Sequence, residues 1–200
     1  MAPSKADKTR EFILETVAPV FNQQGYVATS FGVLEKATGL SKGAMYGNFK
    51  NKEALALAAF NYSIKKIMRP LNEKVRQETS GLAKLRVMVT YYRTYYEDYM
   101  KDAGGCAVLN VGVDAHYHHP ALFKRTQEII HKLEQGICNM IEQAKAEKSL
   151  RPDLDSQRLA KLVYSMIEGA VFMVSTTQNP DYLPNMMDHI DEMITRDWMA

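Results

Sequence analysis

The sequence predicts an all-α fold of about nine helices: a three-helix N-terminal head followed by a larger helical body. Three observations carry this reading. Apolar residues recur at three- and four-residue steps, and no convincing alternating strand interrupts them. The expected helices shift from short to long near residue 50, as in a small head joined to a helical body. Apolar residues make up 46% of the 200 residues and charged residues 24%, which suits a packed globular chain rather than a disordered one.

The first helix is expected from about Lys8 to Gln24, with Phe12, Ile13, Val17, Val20 and Phe21 on one face and Gly25 as its left-handed end. Pro19 removes one of its backbone bonds. Thr29 or Ser30 can cap a short second helix ending at Gly39, and Ser41 a third running to about Phe49. Asn51 can cap a long fourth helix, with Glu53 in its first turn and Pro70 disturbing its far end. Beyond Gly81 the helices lengthen. A tyrosine-rich one spans Leu82 to Lys101, Gly104-Gly105 breaks it, and a short apolar element covers Cys106 to Ala115. Pro120 opens a helix to about Lys148, Pro152 and Asp155 open one to about Gln178, and Pro184 precedes a last helix ending near Trp198. The head is placed at residues 1–52 and the body at 53–200.

A formal net charge of +2 excludes a general polyanion binder, so any nucleic-acid surface must come from local clustering. The two cysteines, Cys106 and Cys138, are too few to staple a secreted fold and match no zinc spacing, which favours a reducing cytoplasm. The polar N-terminus has no signal-peptide pattern, and no run approaches 18 apolar residues, so no membrane span is expected.

Function is concentrated in Thr29 to Phe49. Two helices of about two turns joined at Gly39 have helix-turn-helix proportions, with Leu34, Ala37, Leu40 and Met45 placed to face one another. Four lysines and no acidic residue lie between Lys36 and Lys52, so the second helix of the pair is locally electropositive. Lysines suit phosphates as flexible point charges that release counterions. Backbone N–H groups at the start of that helix, beside Gly43, would attract a phosphate as well. The plainer reading of four lysines is a solvated face, and the pattern must extend beyond one helix to outweigh it.

It does extend. Ile13-Leu14, Phe21, Gly25-Tyr26, Thr29-Ser30, the run Ala37 to Tyr46, Phe49 and Lys52-Glu53-Ala54-Leu55 together resemble the signature of the tetracycline-repressor (TetR) family. The resemblance covers about the first third of the chain. It implies a DNA-binding regulator, by default a repressor, that pairs as a homodimer through its last two helices. Such a dimer reads a palindromic operator and is released by a small-molecule effector. It also implies that Lys42, Gly43, Ala44, Tyr46 and Asn48 face the groove, while Thr29 and Lys52 hold the DNA backbone on either side. Two residues depart from the pattern. Asn48 stands where histidine is usual, and Glu35 where a small alanine is usual.

The body is less informative. Gly105-Cys106, Asn110, Asp114-Ala115 and His119-Pro120-Ala121-Leu122 resemble a subset of TetR-like regulators and place Cys106 at the start of a short helix beside the ligand cavity. A thiol at a helix N-terminus favours the reactive thiolate, so a cysteine-based redox or electrophile sensor is one alternative; a small buried core residue is the plainer one. Tyr92, Tyr96, Cys106 and Asn110 are the candidate ligand contacts. His116, His118 and His119 lack the further ligands of a zinc site, and solvated or capping histidines are the simpler reading. No nucleophile–base pair, phosphate loop or metal set points to an enzyme or a cofactor. The competing class is a small-molecule-binding helical protein that does not bind DNA.

Overall fold

The computed structural model describes residues 4–200, so the start of the polar N-terminal stretch lies outside the described residues. Ten α-helices and two π-turns are found there, with one isolated antiparallel bridge between Leu150 and Met199. The helices are α1 Lys5–Ala28, α2 Phe31–Thr38, α3 Lys42–Tyr46, α4 Lys52–Gln77 and α5 Gly81–Arg93. They continue with α6 Lys101–Ala103, α7 Ala107–Ala115, α8 Pro120–Ala146, α9 Ser156–Thr177 and α10 Tyr182–Met193. The extra helix comes from the tyrosine-rich segment, which ends at Arg93, passes through a π-turn at Tyr96–Met100 and resumes as α6.

The short helices are set by local chemistry. Ser30, Ser41, Asn51 and Asp155 each accept a backbone N–H three residues on, satisfying a donor that the first turn leaves orphaned. Gly39 takes a left-handed conformation and closes α2. Ser4 and Asp7 form a reciprocal capping box that starts α1 earlier than its apolar pattern indicates. Neither Pro19 nor Pro70 ends its helix.

Gly25 behaves differently from expectation. Its φ of 77° comes with a ψ of 165°, an extended glycine conformation rather than a left-handed cap, and the helix resumes to Ala28. The break frees the Tyr26 N–H, which donates to Asp114 Oδ2 at 2.7 Å. Thr29 closes the segment by donating both its N–H and its hydroxyl to the Gly25 carbonyl.

The chain divides into two compact units, and the division does not fall at residue 52. The first holds the residues up to Ile67 together with Ala103–Thr126, and the second holds Met68–Asp102 and Gln127–Ala200. In the first, α1 packs on α2 and α7 around Ile13, Val17, Phe21, Leu34, Met45 and Leu55. In the second, α10 packs on α5 and α9 around Leu85, Ile141, Ile167, Met187, Ile190 and Ile194.

One sequence expectation changes here. An 18-residue window of α9 reaches a mean hydropathy of 1.3, so by length and composition this helix qualifies as a membrane span, although no unbroken apolar run does. Lys161 and Glu168 interrupt the run without lowering the mean below that level. Val163, Ile167, Ala170, Val171 and Val174 are buried within their own unit, as in the core helix of a globular protein.

Candidate nucleic-acid interface

The helix-turn-helix lies in the first unit. Leu34 of α2 and Met45 of α3 are buried, while Ala37, expected between the two helices, is exposed and Leu40 half-buried. The apolar residues that the pair buries are therefore the two larger ones.

Lys42, Gly43, Ala44 and Tyr46 are all exposed, Tyr46 to 42%. The Lys42 ammonium sits 5.0 Å from the Phe31 ring centre and 5.8 Å from that of Tyr46, and those two rings lie 5.0 Å apart. Cation–π attraction thus holds the lysine on a small aromatic platform without neutralising it. Phe31 was not singled out by its sequence position, because its role exists only once α2 and α3 are folded together.

Glu35 answers its own puzzle. Its Oε1 accepts the Lys42 N–H at 2.6 Å while Ser41 Oγ accepts the Ala44 N–H, so two of the three donors at the start of α3 are already occupied. The expectation that they would draw in a phosphate narrows to the Gly43 N–H between them. The charge available to a polyanion here comes from side chains.

Three more expected contacts are repositioned. Thr29 is fully buried and its hydroxyl is bound to Gly25, so it anchors the end of α1 and presents nothing to DNA. Asn48 is half-buried and donates to the Ala44 carbonyl. Its own carbonyl accepts from Arg10, whose guanidinium lies 4.1 Å from the Phe49 ring centre, so Arg10 ties α1 to the end of α3. Lys52 is half-buried, with its ammonium 4.4 Å from the centre of the Tyr26 ring. Burial lowers its pKa, and the nearby Asp114 carboxylate opposes that shift.

The same unit contains an open cavity of about 420 Å³ between α1, α4, α7 and the first turn of α8. Its polar wall is consumed internally. Asn110 Nδ2 donates to the backbone and side-chain oxygens of Asn22 and to the Gly104 carbonyl, and Asn22 Nδ2 donates to the carbonyls of Ala103 and Gly105. Asn110, expected as a ligand contact, is a clasp between α1 and α7. His119 meets the Tyr26 ring with 3.7 Å between ring centres. Its Nε2 is buried without a hydrogen bond, and desolvation lowers its pKa. The three loop histidines form no metal-holding group with other residues, and among the described residues no such cluster is found. Cys106 is buried at the residue preceding α7.

The second unit has its own open cavity, about 470 Å³, lined by α4, α5, α8 and α9. Of the four expected ligand contacts only Tyr92 lines it; Tyr96 is half-buried in the π-turn and lines neither cavity. Cys106 lines neither as well.

An exposed cationic second helix, in a pair that buries Leu34 and Met45, defines a helix-turn-helix regulator that acts on DNA. Comparison with known proteins agrees. Residues 13–59 match the model for bacterial regulatory proteins of the tetR family, and residues 81–190 match that for the tetracyclin repressor-like C-terminal domain. A TetR-family regulator from Cytophaga hutchinsonii is 34% identical in a match covering 98% of this chain and 97% of that one, with a TM-score of 0.86. A TetR regulator from Chloroflexus aurantiacus is 29% identical over 98% and 99% of the two chains, with a TM-score of 0.90. The Bacillus subtilis protein YxaF, an uncharacterized HTH-type transcriptional regulator, is 23% identical over 94% of this chain and 96% of its own length. The chain belongs to the TetR family: it is a DNA-binding transcriptional regulator and not an enzyme. Members of that family bind DNA and small-molecule effectors and act as dimers.

Proposed function

We propose that the protein is a cytoplasmic repressor whose two copies read a palindromic operator and leave it when a small molecule occupies the second unit. The observation that carries the reading is the α3 surface. Lys42 is exposed and still cationic on its aromatic platform, Tyr46 is exposed beside it, and Gly43 and Ala44 leave the surface between them low enough for a groove to close on. A cation already held in place loses little freedom when a phosphate or base edge arrives.

Pairing is supported by what α9 leaves unused. Its inward residues are spent in the unit's core, while Leu162 and Phe172 remain 42% and 48% exposed, with Met166 half-buried between them and Met173 half-buried beyond. Gly169 sits within this stripe, and a Cβ there would meet nothing, so a second helix can approach closely. A two-fold pair would space two α3 helices by about one DNA turn, ~34–36 Å. An effector releases the operator only by as much as it prefers the released state.

The test is selection of bound DNA from a random pool, followed by titration of the recovered palindrome at several salt concentrations. Lys42→Ala is expected to weaken binding about tenfold and make the salt slope shallower by about 1; Tyr46→Ala is expected to weaken it about as much. Unchanged affinity in both variants would overturn the assignment of α3.

A further inference from the structure

The cavity of the second unit is chemically one-sided. Its wall is built from Met68, Leu71, Val75, Met88, Ile137 and Met140, with tyrosine and asparagine edges, and its lining contains no carboxylate. The sole charged lining residue is Lys132 of α8, which is exposed and enters none of the described ion pairs. Gly136 lies one helical turn further along α8. It is half-buried in the middle of a 27-residue helix, where glycine is costly, yet a Cβ built there meets nothing within 4 Å. Neither its φ nor a close neighbour requires glycine, so Gly136 leaves the cavity open beside the lysine.

From this we infer that the second unit binds an amphipathic organic acid, an apolar body ending in a single carboxylate. The inference rests on the effector-controlled reading above. The apolar body gains by leaving water for a wall of methionine, leucine, valine and isoleucine. The carboxylate stays at the rim, where it avoids the cost of burial and meets the Lys132 ammonium. A neutral molecule of the same shape gains only the first contribution. A cationic one meets repulsion from Lys132 and has no lining carboxylate to offset it.

Calorimetric titration of the full-length protein without DNA tests this with octanoate, 1-octanol and octylammonium. Octanoate is expected to bind about tenfold more tightly than octylammonium, with octanol between them. Lys132→Gln should collapse that spread while leaving octanol unchanged, and Lys132→Arg should restore it. Gly136→Leu should remove binding of all three while helical content and operator affinity persist. Octylammonium binding as tightly as octanoate, or an unaltered spread in Lys132→Gln, would overturn the assignment. Because Lys132 is exposed, that variant remains informative even if Gly136→Leu does not fold. Octanoate binding that fails to release the operator supports this site and counts against the regulatory reading alone.

Discussion

The two cavities are opposite in character. In the first unit the side-chain amides of Asn22 and Asn110 are already engaged, and the backbone is bent at Gly25 so that Tyr26 can reach Asp114. In the second unit the wall is mostly apolar, a glycine leaves room, and the one cation stands apart. A space whose hydrogen bonds are internally satisfied serves to fix helices. A space with an unspent charge beside apolar surface can take a guest. Lining separates the two roles.

Substitution should break the first cavity and improve the second. Gly25→Ala forces a side chain into a glycine-only conformation and brings its Cβ to 3.1 Å from the Asp114 carboxylate. It is expected to lower unfolding stability by about 2–3 kcal/mol in a urea titration. Asn110→Ala releases the clasp between α1 and α7 and strands the acceptors on Asn22 and Gly104. About 2 kcal/mol should be lost by the same measurement. In the other direction, Gly136→Ala meets no neighbour and improves helix propensity, so it should raise stability by about 0.5–1 kcal/mol.

The smallest expected effect is on pH dependence at His119. Burial lowers its pKa in the folded protein, with Asp114 and Glu53 opposing and His118 and Lys52 reinforcing the shift. The unfolded chain therefore binds the proton more readily. This contribution is complete above the unfolded histidine value, ~6.5, and is lost as pH falls through it toward the lower folded value. His119→Gln should flatten the decline in thermal midpoint between about pH 7 and 5. An identical decline in the variant would assign it to other groups.

The same contrast explains what the sequence made legible. Ser30, Gly39, Ser41, Asn51 and Asp155 were readable because a cap and the donor it satisfies lie within three or four residues. The TetR signature was readable for a similar reason, since it lies in one continuous stretch of the head. Glu35 was marked as a departure but left without a role, because its partner N–H lies seven residues away across a turn. Arg10 with Asn48, and Asn22 with Asn110, lie 38 and 88 residues apart, and no periodicity encodes such pairings. Asn110 was therefore assigned to a ligand when the fold had already spent it. Lys132 and Gly136 carry no motif and stand out only once four helices enclose a space.

Glu35 has a consequence for how the protein searches a chromosome. By placing its own carboxylate on the first N–H of α3, it fills a position that a phosphate would otherwise occupy on any stretch of DNA. One fewer hydrogen bond to phosphate, with a carboxylate in its place, means a weaker hold on unrelated sequence. A protein that grips non-cognate DNA less tightly leaves it sooner, and less of it is held away from a true site.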